Sequence, residues 1–233
     1  MAKKHLFSLN APKNWPIERK KQIWLTRPNP GPHPLNRCLP LSILLRNVLK
    51  YARTMREVKT ILNEGGILID SKIRKDYKFP VGLMDVIEVK KTNEFFRLIL
   101  DENNKYSLIK LNKDNSDLKP YKIINKKILK KGKIQINLFD GKNLLVDKND
   151  YKVGDTLIIN IKDNKIVNHL KLSKGAIVYI LDGQYTGSHG TLDDVSVQKG
   201  LQRNKIVFTK GKDRIETLRD YAFVIPEDLI KWI

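Results

Sequence analysis

Cysteine and histidine are both scarce: Cys38 is the one thiol in 233 residues, and the imidazoles are His5, His33, His169 and His189. A single thiol excludes a disulfide framework, and this set cannot supply the ligands of a zinc finger or ribbon. No structural metal and no cofactor is expected. Cys38 precedes Leu39-Pro40-Leu41 with no adjacent histidine or acid, so it reads as a buried structural thiol rather than a nucleophile. Long apolar runs are missing too. Nothing approaches the roughly 20 consecutive apolar residues of a bilayer-spanning helix, and Met1-Ala2-Lys3-Lys4-His5 opens no signal-peptide pattern. The expectation is a soluble protein that stays inside the cell. Catalytic motifs are equally thin: there is no Gly-x4-Gly-Lys-Ser/Thr, no Gly-x-Gly-x-x-Gly after a strand, and no His-Glu-x-x-His. Asp193-Asp194 would point to opposite faces of a strand, which is no metal pair. An enzyme is not expected.

Acids are the remaining shortage. Asp and Glu number 25 against 45 Lys and Arg, a net charge of +20, in a chain that is 41% hydrophobic. The first 40 residues carry +7 with Glu18 as their one acid, residues 41–91 carry +5, residues 92–170 carry +6, and residues 171–233 only +2. Such an excess calls for a polyanionic partner. No helical segment offers a broad apolar face flanked by aromatics for lipid, so nucleic acid fits better than a membrane surface. No small-molecule substrate is implied.

Seven of the ten prolines (12, 16, 28, 30, 32, 34 and 40) fall in residues 1–40, where Arg27 to Pro34 can form neither helix nor ladder. This segment reads as an extended basic arm, with Trp15 and Trp24 as anchors, disordered when free and ordered on binding. Residues 41–91 read as an α+β domain. Leu41, Leu44, Leu45, Val48 and Leu49 make one helix through Ala52. Thr54 and Glu57 form the capping box of a second, with Val58, Ile61 and Leu62 as its apolar stripe and Gly65-Gly66 as its stop. Ile67–Ile69 and residues 73–79 flank Asp70-Ser71 as a hairpin, and a further strand ends at Val89. Residues 92–170 alternate short β-rich runs with turn pairs such as Asn103-Asn104, Asp140-Gly141 and Asp163-Asn164, which suggests a small barrel. The six lysines of residues 121–133 read as one solvated face. Residues 171–233 are strands punctuated by glycine.

Two segments resemble known modules. Leu41-Ser-Ile-Leu-Leu-Arg46 through Val58-Lys-Thr-Ile-Leu-Asn-Glu-Gly65-Gly-Ile-Leu-Ile-Asp70 resembles the S-four RNA-binding domain, except that Asp70-Ser71 stands where a glycine-containing turn is usual. Gly175-Ala-Ile-Val-Tyr-Ile-Leu-Asp-Gly183-Gln-Tyr-Thr-Gly187-Ser-His-Gly190-Thr-Leu192 is similar to the KOW motif of SH3-like barrels, with Gln184, Tyr185, Ser188 and His189 at the tip of its loop. Together with Lys3-Lys4-His5-Leu6, Ala11-Pro12-Lys13-Asn14-Trp15, Arg37-Cys38-Leu39-Pro40-Leu41, Tyr77-Lys-Phe-Pro80-Val-Gly82-Leu-Met-Asp85 and Val153-Gly154-Asp155-Thr156, nearly the whole chain resembles the archaeal and eukaryotic S-four-e ribosomal protein family.

The resemblance implies a non-enzymatic component of cytoplasmic ribosomes that binds folded small-subunit rRNA and neighbouring small-subunit proteins. The expected architecture is an α+β multidomain chain: arm (1–40), S-four-like domain (41–91), central β-barrel-like domain (92–170) and C-terminal SH3-like KOW barrel (171–233). Candidate RNA contacts in the arm are Lys3, Lys4, His5, Lys13, Trp15, Arg19, Lys20, Lys21, Arg27, His33 and Arg37. In the S-four-like domain they are Arg46, Lys50, Arg53, Arg56, Lys59, Lys72, Arg74 and Lys75, and in the KOW loop Gln184, Tyr185, Ser188 and His189. Two rivals are an RNA-modifying enzyme tethered by its S-four domain and a transcription-elongation module. The first lacks a domain with a buried catalytic acid, and the basic arm argues against the second.

Overall fold

The computed structural model describes residues 5–147, 149–196, 203–211 and 213–227, apart from the side chains of Asp114 and Lys131. Lys3 and Lys4 lie outside the described residues. The chain forms two compact units, residues 1–100 with 104–119, and residues 101–103 with 120–233. Among the described residues no helix is long and apolar enough to cross a membrane.

In the first unit β1 (His5–Phe7) and β2 (Trp24–Thr26) pair antiparallel, burying Leu6 against Leu25 and leaving Phe7 and Trp24 exposed. β3 (Cys38–Pro40) leads into α1 (Leu41–Ile43), which continues as a π-helical turn over Leu44–Val48. The expected helix through Ala52 therefore stops early. Leu49 N donates to Leu44 O, widening the turn, and Lys50 adopts a left-handed φ of 58° that ends it. α2 (Met55–Asn63) follows the sequence signals: Thr54 Oγ1 accepts from Glu57 N at 3.3 Å, and Glu57 Oε2 accepts from Arg53 N at 2.8 Å.

Six strands come next: β4 (Ile67–Ile69), β5 (Lys72–Ile73), β6 (Pro80–Gly82), β7 (Val86–Val89), β8 (Glu94–Leu100) and β9 (Tyr106–Leu111), then a short α3 (Lys113–Ser116). Asp70 and Ser71, at φ 49° and 59°, turn the β4–β5 hairpin without glycine. The strand expected over residues 73–79 is only β5. Prolines bracket the separate β3–β6 pair, Pro40 opposite Pro80, where neither can donate to a ladder. β5-β4-β7-β8-β9 form one sheet. Strands 94–100 and 106–111 thus extend the sheet of residues 67–89 instead of opening the next domain at 92. Their alternation fixed them as strands but not which sheet edge they would join.

The arm is where expectation and structure part. Its segments are folded onto the first unit. Trp15 is fully buried and its Nε1 donates to Cys38 O at 2.7 Å. Arg19 donates to the carbonyls of Ser8, Ala11 and Pro12 at 3.1, 2.9 and 2.6 Å, satisfying backbone that proline leaves without ladder partners. His33, 4% exposed, sets Nε2 at 3.1 Å from both oxygens of Asp85. Burial, followed by the nearby Asp85 carboxylate, pushes the Cys38 thiol up to about 12, which leaves it inert at neutral pH.

Asp85 is the centre of a buried polar cluster. Lys119 Nζ donates to Asp85 Oδ1 at 2.5 Å and to Asp70 Oδ2 at 2.7 Å, and Gly82 N donates to Asp85 Oδ2 at 2.8 Å. Burial alone would raise the Asp85 carboxyl, but the charges and hydrogen bonds of Lys119 and His33 hold it well below its ordinary range. Gly82 is obligatory here, since a Cβ would lie 2.3 Å from the His33 ring.

Among the described residues the second unit holds two five-stranded sheets. The first contains β10 (Leu118–Ile128, its first two residues belonging to the first unit), β11 (Ile134–Leu138), β12 (Asn143–Val146), β13 (Thr156–Asn160) and β14 (Ile166–Leu170), in the order β12-β11-β10-β13-β14. Tyr121, Ile123, Ile136, Leu157 and Ile159 are in its core. The lysine-rich stretch is not wholly solvated: Lys122 is buried with Nζ on Asp220 O at 2.6 Å, and Lys126 reaches Tyr151 O at 2.8 Å. The other sheet contains β15 (Ile177–Ile180), β16 (His189–Ser196), β17 (Lys205–Lys210), β18 (Asp213–Leu218) and β19 (Ala222–Val224), in the order β18-β17-β16-β15-β19. Val178, Ile180, Leu192, Ile206 and Phe208 form its separate core.

Two outcomes test the docked arm. Trp15→Ala should cost about 3–5 kcal/mol in denaturant unfolding, the usual loss for a fully buried aromatic; an unchanged midpoint would contradict the burial. For Asp85, the folded carboxyl titrates below its unfolded value of about 3.9, so its stabilisation is complete above that pH and is lost as the pH falls toward the lower folded value. Asp85→Asn should therefore lower stability at pH 7 by about 3 kcal/mol or more and flatten the loss as the pH falls below about 4. Parallel pH profiles for the two proteins would refute this.

Candidate nucleic-acid interface

α2 buries Val58 and Leu62 completely, so the opposite side of the helix, with Arg56 and Lys59 one turn apart, faces solvent. Lys50 and Arg53 are exposed just before it. Arg46 Nε donates to Arg53 O at 3.3 Å, tying the end of the first helical segment to the start of the second. The ammonium groups of Lys59 and Lys78 lie 5.3 and 5.5 Å from the Tyr77 ring centre, and the Arg74 guanidinium lies 4.2 Å from that of Phe79. Lys72 and Lys75 are exposed nearby on the chain. Ion pairs among the described residues of this unit include Lys91 with Glu64 at 2.6 Å, Lys110 with Glu94 at 2.7 Å, Lys21 with Glu18, and the buried Lys119 with Asp85.

Two clefts border these residues. The larger, about 720 Å³, includes Arg56, but Glu57 and Glu64 also line it and would repel phosphate. The smaller, about 280 Å³, lies among β1–β2, the first helical segment and Tyr77-Lys78, and none of its lining residues is acidic. Among the described residues no three His, Cys, Asp or Glu side chains converge on a metal position.

Several residues expected at the surface are elsewhere. Trp15 and His33 are core residues, and Arg19 is half-buried with its guanidinium on three backbone carbonyls. His5, Lys13, Lys20, Lys21 and Arg37 are exposed, Lys21 beside Glu18, while Arg27, Arg46 and Arg74 are half-buried. Of the four residues expected at the tip of the glycine-rich loop, Gln184 alone is exposed, beside the exposed Asp182 and Gly183. Tyr185 packs on the core of the second sheet, His189 is half-buried in β16, and Ser188 is buried with its hydroxyl 3.3 Å from Lys210 Nζ. Gly187, at φ 82°, explains the tightness: a Cβ there would meet Asp101 O at 2.1 Å. Of the residues lining the smaller cleft, Trp24 is an anchor expected of the arm, for a protein groove or a base, and the outward register of β2 exposes it, whereas Tyr77 and Lys78 are not among the expected contacts.

Residues 92–166 match the model described as Ribosomal family S4e, residues 2–36 the RS4NT (NUC023) domain, and residues 39–87 the S4 domain. Small ribosomal subunit protein eS4 of Staphylothermus marinus is 41% identical over 98% of this chain and 95% of that protein. The eS4 protein of Aeropyrum pernix is 42% identical over 97% of this chain and 92% of its own. The chain belongs to the ribosomal S4e family. A crystal structure of the 30S ribosomal protein S4e from Thermoplasma acidophilum superimposes with a TM-score of 0.72 at 30% identity, covering 81% of this chain and 95% of that one. The S4e family consists of structural, non-enzymatic constituents of the small subunit. Its S4 segment here contains both helical pieces and the capping box that orients α2. Thr54→Ala should therefore lower stability by about 1 kcal/mol, checked by denaturant unfolding, because one helix N-terminus loses its side-chain acceptor. A change below about 0.2 kcal/mol would show that the box does not anchor α2.

Proposed function

We propose that the chain is a structural protein of the small ribosomal subunit that binds folded small-subunit rRNA and stabilises it during assembly and translation, beside neighbouring small-subunit proteins in cytoplasmic ribosomes. The observation that carries this reading is the exposed set Lys50, Arg53, Arg56 and Lys59 within the segment that matches the S4 domain. Basic side chains on a rigid helix displace counterions from phosphates, and the fixed helix spacing selects the shape of a folded RNA rather than its sequence. Lys13, Lys20, Lys21 and Arg37 extend the positive surface along the arm, and Lys72 and Lys75 along the hairpin.

The modules divide the work as arm, S4-type domain, central β domain and a C-terminal KOW-type domain. In the last, the buried Ser188 and packed Tyr185 leave Asp182, Gly183 and Gln184 as the exposed part of the loop that meets RNA or protein.

Binding to small-subunit rRNA should weaken steeply with salt. Six neutralised phosphates give a log–log slope of roughly −4 to −5. Charge reversal at Arg53, Arg56 and Lys59 should make that slope shallower by about two to three units with cooperative thermal unfolding intact. A wild-type slope shallower than about −2, or sedimentation with RNA polymerase rather than with ribosomal subunits, would overturn the proposal.

A further inference from the structure

We propose that the smaller cleft of the first unit is a stacking site for one unpaired RNA base, an inference that rests on the rRNA-binding function above and adds a base-recognising element to it. Trp24 is 63% exposed, and its neighbours Phe7 and Ile23 are also exposed. So much open apolar surface on one short strand pair marks a contact surface. The indole is also held in place: Phe7 meets it at 5.7 Å and 68°, and His5 at 6.4 Å and 63°, both edge to face. A fixed, uncovered ring loses little freedom when a base stacks on it.

The rest of the lining fits a nucleotide. Arg46 and Lys78 supply positive charge for the flanking phosphates, and Gln22 offers both a donor and an acceptor to a base edge. No acidic residue lines the cleft. An apolar protein side chain would gain nothing from this cationic rim, whereas a polyanion bearing a flat ring uses both features at once. At about 280 Å³ the cleft holds a single ring system and excludes a helical stem. A paired base keeps its faces inside the stack, so the occupant is a base from a loop, bulge or strand end. The site also depends on the docked arm, because His5, Gln22 and Trp24 come from the arm and Arg46, Tyr77 and Lys78 from the S4-type segment.

Two probes with equal phosphate count separate stacking from charge: hexauridylate and the abasic hexamer of the same backbone. The full-length protein should bind hexauridylate at least about fivefold more tightly, the lower end expected for one stacked base. Trp24→Leu, which keeps an apolar side chain beside Phe7 without a ring face, should erase that preference while leaving abasic affinity and its salt slope unchanged. Trp24→Phe should retain part of it. Equal wild-type affinity for the two hexamers, which would leave the cleft to a protein segment, overturns the inference and needs no variant to read. An undiminished preference in a cooperatively folded Trp24→Leu protein overturns it as well. Failure to bind either hexamer would instead strike at the RNA-binding reading on which the inference rests.

Discussion

Three segments far apart in sequence converge on the carboxylate of Asp85: His33 from the arm, Gly82 from β6, and Lys119 from the start of β10. An isolated buried carboxylate would be expelled or neutralised. Here every partner is a donor, so burying one charge forces three pieces of chain to stay together. The ammonium of Lys119 is shared with Asp70, whose other oxygen accepts from Val86 N at 3.1 Å and so fixes the β4–β5 turn beside β7. The arm, the hairpin and the strand edge are therefore coupled through one polar cluster.

That coupling explains how a proline-rich, strongly basic segment is ordered without regular secondary structure. Its backbone polar groups find partners in side chains and in neighbouring segments: Arg19 on three carbonyls, Trp15 on Cys38 O, and Asn29 N on Lys78 O. Net charge overstates the cations available to a polyanion. Arg19, Arg97, Lys119, Lys122 and Lys126 hold backbone carbonyls or buried carboxylates, and burial lowers Arg97 to about 10, still charged at neutral pH. Lys50, Arg53, Arg56 and Lys59, on and before α2, are by contrast exposed, as are Lys13, Lys20, Lys72 and Lys75.

Local signals were legible in the sequence where neighbours in sequence decide the outcome. The Thr54–Glu57 box, the Gly65 stop and the turns at Asn104, Gly141 and Asn164 all depend on residues within a few positions, and their positive φ values or caps follow directly. The first helix was overrun because periodicity does not report a widened turn or the left-handed Lys50. Both tryptophans of the arm carry the same composition signal, yet one is sealed in the core and the other stands open. Strand register and the distant Cys38 carbonyl separate them.

By itself the sequence determined a large excess of positive charge, a single thiol that excludes a disulfide framework within the chain, and helix, hairpin and strand elements in nearly their observed order. Charge, cysteine count and hydrophobic period are properties of the chain and survive any arrangement of it. Only the tertiary structure decided which cations are structural, that the arm docks on its own domain, and that Trp24 with Tyr77 borders an acid-free cleft. These depend on desolvation and hydrogen-bond partners contributed from dozens of residues away, and nothing local encodes whether a given arginine or tryptophan meets a carbonyl or water.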